Sequence, residues 1–379
     1  MILIKKVEFF LFQTPVWKLI LFLFLIMFFK VGLFYHPNLW YHLEVARNPY
    51  NNIFIDRPEL QSFYLSYFGS WLAYFVGATS KTSFFLLHLL FSIFYSFLFI
   101  RLIFKNFSNE TSRIALILFF IFPASSTVYY IVGYDSVTIF LMTLGLYFRR
   151  YILLTFLIGI LMGLQHFELS FFGSGGLLFA MILATLVNEK KWRSILFPLS
   201  LFIGVIFGRI ILHFIFDFNN IEITNDRTEW YLEALPQTLY TFFFRSYDVI
   251  WFSIGLGWLI LIKYYLVIEK KIYFFLPFFC MILMLTIIPD TTRTFSVMSF
   301  LILSYFILLN KNFLNFLSRQ EISIIFFLWA IIPYGWAWQG IARPSHFPYT
   351  VGYTLKHFVD WFDKSNIDAS NVWPFFYPF

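Results

Sequence analysis

Residues 113–150 read RIALILFFIFPASSTVYYIVGYDSVTIFLMTLGLYFRR, two apolar stretches that are joined by a short polar turn. Arginine stands at both ends of this segment, at Arg113 and at Arg149 and Arg150, and the turn in the middle holds Asp135. Loops that are rich in Lys and Arg face the cytoplasm in membrane proteins. The pattern therefore predicts a pair of membrane-crossing helices whose basic ends are cytoplasmic and whose Asp135 turn faces outward.

The same alternation recurs along the whole chain. A helix needs roughly 17–25 apolar residues to cross a bilayer, and we expect about eleven crossings, at 17–34, 83–104, 113–131, 135–148, 151–166, 170–187, 194–215, 246–264, 272–288, 294–310 and 322–338. With the N-terminus in the cytoplasm, the Lys- and Arg-rich loops are cytoplasmic, and 35–82 and 216–245 are the large outer loops. Residues 1–338 are thus predicted to form one transmembrane domain. The tail 339–379 is predicted to pack on its outer face.

The composition supports this fold class and excludes others. Hydrophobic residues make up 60% of the chain and charged residues only 12%, too few to cover the surface of a soluble domain. The net charge of +7 then reflects basic cytoplasmic loops, so we predict no nucleic-acid partner. Cys280 is the single cysteine, which excludes an intrachain disulfide. We predict an all-α, polytopic integral membrane protein, of a bacterial inner or plasma membrane.

Segment 61–78 is the main ambiguity in the topology. It is apolar enough to cross, but a crossing there would place every later basic cluster outside. We therefore expect an interfacial or re-entrant segment, with Tyr64, Tyr67, Trp71 and Tyr74 at the membrane surface.

The first outer loop concentrates charged and histidine side chains, including His42, Glu44, Asp56 and Arg57, of which Arg57 is expected to bind substrate. Segment Leu39–Arg47 is compatible with a helix that places His42 and Glu44 on different faces. Carboxylates and histidines at a membrane face can act as general bases. The alternative is a solvated loop whose charges lie where water is.

The order of these features resembles the GT-C superfamily of membrane glycosyltransferases, which use polyprenyl-phosphate sugars. Residues 40–47 (WYHLEVAR) are similar to a helix of the family's first outer loop. Residues 56–62 (DRPELQS) are similar to the stretch that follows and leads into an amphipathic, non-crossing helix. The resemblance implies sugar transfer on the extracytoplasmic face, with inversion. The family's acidic residue would fall near Asn38 and Leu39, so the catalytic role passes to Asp56 or Glu44, with His42 as a further candidate.

Gly133-Tyr134-Asp135 is similar to the turn at which many members of this superfamily carry an acidic residue at the outer end of a helix. Asp135 at a helix N-terminus is stabilised as an anion. We expect it to hold a sugar hydroxyl or a divalent cation, Mg²⁺ or Mn²⁺. Helix capping is the alternative for this residue.

Further candidates for substrate binding stand at the outer ends of other predicted crossings. His166 and Glu168 are two apart and would meet only at a helix break. Arg209 lies inside an apolar segment, where an unpartnered charge is costly. Asp290 and Arg293 are three apart, so they form either a local pair that caps the next helix or a substrate site. Arg209 and Arg293 are expected to bind the donor phosphate.

The predicted partners are a polyprenyl-phosphate sugar donor, a glycan or lipid acceptor, and membrane lipids. A polymerase or ligase of lipid-linked polysaccharide units would use similar residues. A transporter or flippase is the alternative from another class, and it would place ionisable groups near the middle of the membrane. A non-catalytic scaffold is a further alternative, because the family's expected acidic pair is absent.

Overall fold

The computed structural model describes residues 2–36, 38–188, 190–223, 227–288, 290–332, 335–338 and 341–344. The described chain is almost entirely helical, and its strands form one short antiparallel hairpin, Gly335–Trp338 with Ile341–Pro344. Apart from 341–344, the predicted tail 339–379 lies outside the described residues.

The α-helices follow in chain order as α1 (Ile2–Gln13), α2 (Val16–Val31), α3 (Leu39–Arg47), α4 (Tyr67–Phe75), α5 (Lys81–Asn106), α6 (Asn109–Ile121), α7 (Pro123–Tyr130), α8 (Tyr134–Tyr147), α9 (Ile152–Gln165), α10 (Phe167–Leu186), α11 (Leu196–Phe218), α12 (Arg227–Phe244), α13 (Ser246–Ile254), α14 (Gly257–Val267), α15 (Ile272–Met284), α16 (Thr291–Leu303), α17 (Lys311–Leu314) and α18 (Arg319–Ile331). Short 3₁₀ segments occupy Pro58–Ser66 and Trp192–Ile195, and a π-helical segment, Ser304–Leu308, continues α16.

Four helices of the described chain are long and apolar enough to cross a membrane, namely Lys81–Asn106, Phe167–Leu186, Trp192–Phe218 and Thr291–Leu308. The pair α6 and α7 is bent by 50° and makes a fifth if it is one span. Pro123 begins α7, and since proline has no N–H it breaks the helical hydrogen bonding at the bend. Apolar helices of this length indicate a protein that is embedded in a membrane.

Helices α9 and α11 pack so closely that their backbones are in contact. This contact uses two glycine pairs spaced four residues apart, Gly159 with Gly163 and Gly204 with Gly208. A Cβ atom added at any of the four would lie 2.2–2.4 Å from a backbone carbonyl oxygen of the facing helix. Such spacing of small residues lets two apolar helices bring their backbones into contact.

The helix ends that carry the predicted cytoplasmic loops contact one another. Arg113 donates to the carbonyl oxygens of Leu11 and Thr14, at 2.8 and 2.6 Å, just at the end of α1. At the start of α18, Arg319 forms a bidentate ion pair with Glu110, in which Nε donates to Oε1 at 2.6 Å and Nη2 donates to Oε2 at 2.9 Å. Contacts of this kind agree with the expectation that the basic loops lie at one end of the helices.

Segment 61–78 forms part of a 3₁₀ helix, Pro58–Ser66, followed by α4, which has only nine residues. An α-helix rises 1.5 Å and a 3₁₀ helix about 2.0 Å per residue, so each of these nine-residue elements is by itself shorter than a hydrocarbon core of about 30 Å. The Ser70 hydroxyl donates to the carbonyl oxygen of His42 at 2.9 Å, which fixes α4 against α3. Neither element is among the candidate crossings of the described chain, and the non-crossing topology of this segment stays a prediction.

Besides the bend between α6 and α7, the structure differs from the prediction in the following segments. Outer loop 216–245 contains the 18-residue helix α12. Segment 246–264 is divided into α13 and α14 at Gly255, whose φ of 58° is a left-handed conformation that glycine adopts without strain. The predicted last crossing, 322–338, ends as a helix at Ile331, and its final residues belong to the β-hairpin.

Candidate functional site

A largely buried ion-pair cluster joins three of the predicted binding residues. Arg293, in the first turn of α16, donates from Nη1 to Asp135 Oδ2 at 2.8 Å and from Nε to Asp290 Oδ2. Asp135 is in the first turn of α8, and Asp290 directly precedes α16. Two helix N-termini therefore bring two carboxylates to one guanidinium group, and each N-terminus favours a negative charge.

The cluster carries an excess of negative charge and spare acceptor capacity. Two carboxylates and one guanidinium give a formal charge of −1. The Oδ1 atoms of Asp135 and Asp290 are buried and accept no hydrogen bond from the described residues. Burial raises the pKa of the Asp290 carboxyl above its ordinary value, although Arg293 opposes this shift. The spare oxygens suit a ligand that donates hydrogen bonds, because buried acceptors are costly when unsatisfied.

Neither aspartate serves as a helix cap. Gly133 occupies the N-cap position of α8, and the N-cap residue Asp290 makes no capping hydrogen bond with its side chain. Arg293 also differs from the expectation of a phosphate-binding cation, since its guanidinium is engaged by two carboxylates. Its immediate effect is to orient Asp135 and Asp290.

Tyr134 is the centre of the site, although its position in the turn does not by itself predict a functional role. Its hydroxyl accepts a hydrogen bond from Arg293 Nη1 at 2.7 Å and lies 3.3 Å from His36 Nε2. The tyrosine ring contacts the rings of His42 and His166, with centroid distances of 4.7 and 5.6 Å. Three histidines from separate chain segments therefore surround one tyrosine beside the ion pairs.

The segment at His36 can lie close to the α8 turn because residue 133 is a glycine. A Cβ atom at position 133 would lie 2.8 Å from the Cβ of His36. Tyr35 forms an isolated parallel bridge with Val132, and His36 N–H donates to the Val132 carbonyl oxygen at 2.8 Å. Glycine at position 133 thus allows the start of the first outer loop to reach Tyr134.

Gln165 links the outer-loop helices to the same turn. Its Oε1 accepts a hydrogen bond from the Gly69 N–H at 2.6 Å, and its Nε2 donates to the Tyr134 carbonyl oxygen at 3.0 Å. The side chain is fully buried. Both ends of one amide are therefore used to hold α4 against the N-terminus of α8.

His166 and Glu168 meet at the break between α9 and α10, as their spacing requires. His166 Nδ1 lies 3.3 Å from Glu168 Oε2, and the backbone of His166 is extended, with φ −160°. Arg209 lies close by, with its guanidinium carbon 5.4 Å from the centroid of the Phe167 ring.

The residues predicted to be catalytic do not all share this site. His42 is buried against Tyr134, whereas Glu44 lies on another face of α3 and pairs with Arg57 at 2.8 Å. Both members of that pair are more than a third exposed, and Asp56 is exposed on the loop before Pro58. The separation of His42 from Glu44 confirms the predicted helix faces.

Metal binding receives no support from the geometry. Within the described residues, no three His, Cys, Asp or Glu side chains are grouped so that they could hold a metal ion. Asp135 and Asp290 would supply two oxygens, but Arg293 already neutralises one of the two charges. A divalent cation would have to draw its remaining ligands from water or substrate.

Comparison with protein-family models, with curated proteins and with solved structures gives no match for this chain. The fold defines it as a helical membrane-embedded protein, and its function has to be inferred from the site itself.

Proposed function

We propose that the protein is a membrane glycosyltransferase that moves a sugar from a polyprenyl-phosphate donor to a lipid or glycan acceptor on the extracytoplasmic face. The observation that carries the proposal is that Asp135 and Asp290 share Arg293, and that the Oδ1 atom of each is buried and accepts no hydrogen bond from the described residues. Sugar hydroxyl groups are hydrogen-bond donors that match these two acceptors.

The chemical step needs a base beside the acceptor hydroxyl. In inverting transfer, the acceptor oxygen forms a bond to the anomeric carbon as the bond from that carbon to the donor phosphate breaks. The hydroxyl proton passes to a carboxylate, and the phosphate leaves with the electron pair of the broken bond. Asp135 is our candidate base, since it is buried and oriented by Arg293. Asp290 would then hold a sugar hydroxyl.

This assignment moves the proposed catalytic carboxylate from the first outer loop to the α8 turn. Glu44 and Asp56 are exposed, and Glu44 is paired with Arg57. His42 and Tyr134 contact each other within the buried cluster. In the proposal, α3 therefore contributes His42 to the wall of the site, and Glu44 and Asp56 lie at its margin.

The proposed topology keeps eleven crossings, with a cytoplasmic N-terminus and a non-crossing segment at 61–78. The shorter apolar helices α9, α14 and α15 have 14, 11 and 13 residues, so in this proposal each would cross only together with the residues that flank it. The contacts of Arg113 and Arg319 gather one set of helix ends, and those of Gln165 and Arg293 gather the other. The resemblance of α3 and the 3₁₀ segment to the GT-C outer loop supports the same arrangement.

The test is sugar transfer by purified protein in lipid vesicles that contain a polyprenyl-phosphate sugar. We expect Asp135→Asn to abolish transfer and Asp290→Asn to raise KM more than it lowers kcat. Asp56→Asn, an equivalent change at an exposed carboxylate, serves as the matched control and should retain activity. Full activity of Asp135→Asn would refute the assigned base, and absence of transfer by the wild type with any such donor would refute the function.

Transport is the second candidate, and the bent pair α6 and α7 favours it. Broken helices in transporters place free backbone groups and helix ends at a substrate site. The α7 helix is buried throughout and leads into the Asp135 turn. Movement of an intact lipid-linked sugar across vesicles without transfer to an acceptor would select this alternative.

A further inference from the structure

Lys30 is a buried cation near the C-terminal end of α2. Its side chain is 3% exposed, and its Nζ donates to the Ile332 carbonyl oxygen at 2.6 Å and to that of Trp329. These carbonyl groups terminate α18, where the helix dipole is negative and a cation is favoured. A lysine ammonium has three N–H donors, so the two carbonyl groups leave one donor over.

The charge of Lys30 has no carboxylate partner among the described residues. The partial negative charge at the C-terminal end of α18 offsets the lysine charge only in part, and no full negative charge of the described residues pairs with it. A buried charge without an ion partner is costly, because desolvation is not repaid. The site therefore favours an anion.

A cavity of about 50 Å³ adjoins the ammonium group. Besides Lys30, its lining includes Ser126 of α7, the indole rings of Trp251 and Trp329, and Phe252. On the same measure one water needs roughly 10–15 Å³, so the cavity admits a group larger than a single water. Its lining supplies one cation and one hydroxyl within otherwise mainly apolar walls.

The cavity lies beside the ion-pair cluster. The Thr292 hydroxyl, next to Arg293 in the chain, donates at 3.0 Å to the carbonyl oxygen of Phe252, which lines the cavity. On the other side, Lys30 lies six positions before His36, which contacts Tyr134. Arg293 is held by two carboxylates, whereas Lys30 has no carboxylate partner among the described residues, which makes Lys30 the better candidate to bind an anionic group.

We propose that Lys30 and Ser126 form a binding site for a phosphate group, and that the group is the headgroup of the lipid donor. The identity of the donor lipid rests on the proposed function, whereas the phosphate site rests on the cavity and on an ammonium group that has no carboxylate partner among the described residues. In sugar transfer this position would receive the phosphate as it leaves, while Asp135 takes the acceptor proton.

Thermal unfolding of the detergent-solubilised full chain tests the site, with inorganic phosphate, farnesyl phosphate and farnesol as probes at matched ionic strength. We expect both phosphates to raise the Tm of the wild type, farnesyl phosphate at lower concentration, and farnesol to have little effect. Lys30→Met should weaken phosphate binding at least about ten-fold through loss of a charge-assisted hydrogen bond. Lys18→Met, at the exposed end of the same helix, is the matched control and should bind as the wild type does.

Lys30→Met also removes the contact with α18, so a second variant is needed that leaves this contact in place. Ser126→Leu fills the cavity and should abolish the phosphate effect. The site would be overturned if phosphate failed to stabilise the wild type, or if it still stabilised both Lys30→Met and Ser126→Leu. Equal stabilisation by inorganic and farnesyl phosphate, or by farnesol and farnesyl phosphate, would overturn the lipid headgroup assignment. Asp135→Asn should bind phosphate as the wild type does while it loses transfer. Phosphate binding by a wild-type protein that transfers no sugar would refute the function and leave the site intact.

Discussion

Arg293 and Asp135 are 158 positions apart in the chain and form an ion pair of 2.8 Å, with Asp135 only 2% exposed. The pair joins the N-termini of α8 and α16, and Asp290 binds the same guanidinium group. Removal of the shared cation would leave two buried carboxylates beside each other.

Arg293→Met is therefore expected to destabilise the protein by about 3–5 kcal/mol, the range for breaking a buried ion pair. The measurement is thermal or denaturant unfolding in detergent. Arg57→Met removes an exposed ion pair with Glu44 and should change the free energy of unfolding by less than about 1 kcal/mol. Equal effects of the two variants would contradict the buried cluster.

The raised pKa of Asp290 predicts a dependence of stability on pH. Burial makes the folded state bind the Asp290 proton more tightly than the unfolded state does. This contribution to stability is fully present below the ordinary aspartate pKa and is lost as pH rises through the raised value. Asp290→Asn should flatten the fall in unfolding free energy over that interval. An unchanged pH profile in this variant would show that Asp290 is not the group responsible.

Gln165→Leu should loosen the first outer loop from the helices. The change removes hydrogen bonds to Gly69 and Tyr134 and leaves buried backbone groups unsatisfied, at a cost of about 1–3 kcal/mol each. Hydrogen exchange over residues 67–75 is the measurement, and it should become faster. Gln13→Leu, at an exposed glutamine, is the control. Exchange in α4 that does not respond to Gln165→Leu would mean that other contacts hold this helix.

Gly163→Ala should separate α9 from α11, because the new methyl group would lie 2.2 Å from the Val205 carbonyl oxygen. Overpacking of this kind typically costs about 1–3 kcal/mol. At Gly145, also buried in a helix, an added methyl group would meet the Leu201 side chain at 3.3 Å, which can move. Unfolding measurements should therefore show a clearly larger loss for Gly163→Ala than for Gly145→Ala.

The topology can be tested by cysteine labelling in intact membranes. After Cys280→Ser, a cysteine at Thr79 should react with an impermeant reagent added from outside, and one at Ser108 should not. Ser108 is exposed at the start of α6, so a lack of labelling there would not result from burial. Labelling of Ser108→Cys from outside would invert the orientation.

Local patterns in the sequence predicted local structure well. Leu39–Arg47 forms α3 with the expected opposite placement of His42 and Glu44, because helical periodicity fixes which residues share a face. The spacing of His166 and Glu168 likewise implied that they could meet only at a helix break.

Local sequence patterns could not predict the long-range contacts of the site. Asp135, Asp290 and Arg293 were each candidates, but a single sequence does not specify which outer helix ends are neighbours. The role of Tyr134 could not be predicted for the same reason, since the partners of its hydroxyl come from α16 and from the chain before α3. A polar residue next to Gly133 in an apolar segment was the only available signal.

The backbone contact between α9 and α11 has a mechanical consequence. With glycine facing carbonyl oxygen over two helical turns, neither helix can slide along the other without a steric clash. The two helices therefore move as one rigid unit, and they hold His166 and Arg209 at a fixed separation. Any opening that admits a large lipid-linked substrate must come from the elements around this unit. The short helix α4, which Gln165 of α9 contacts, is the nearest such element.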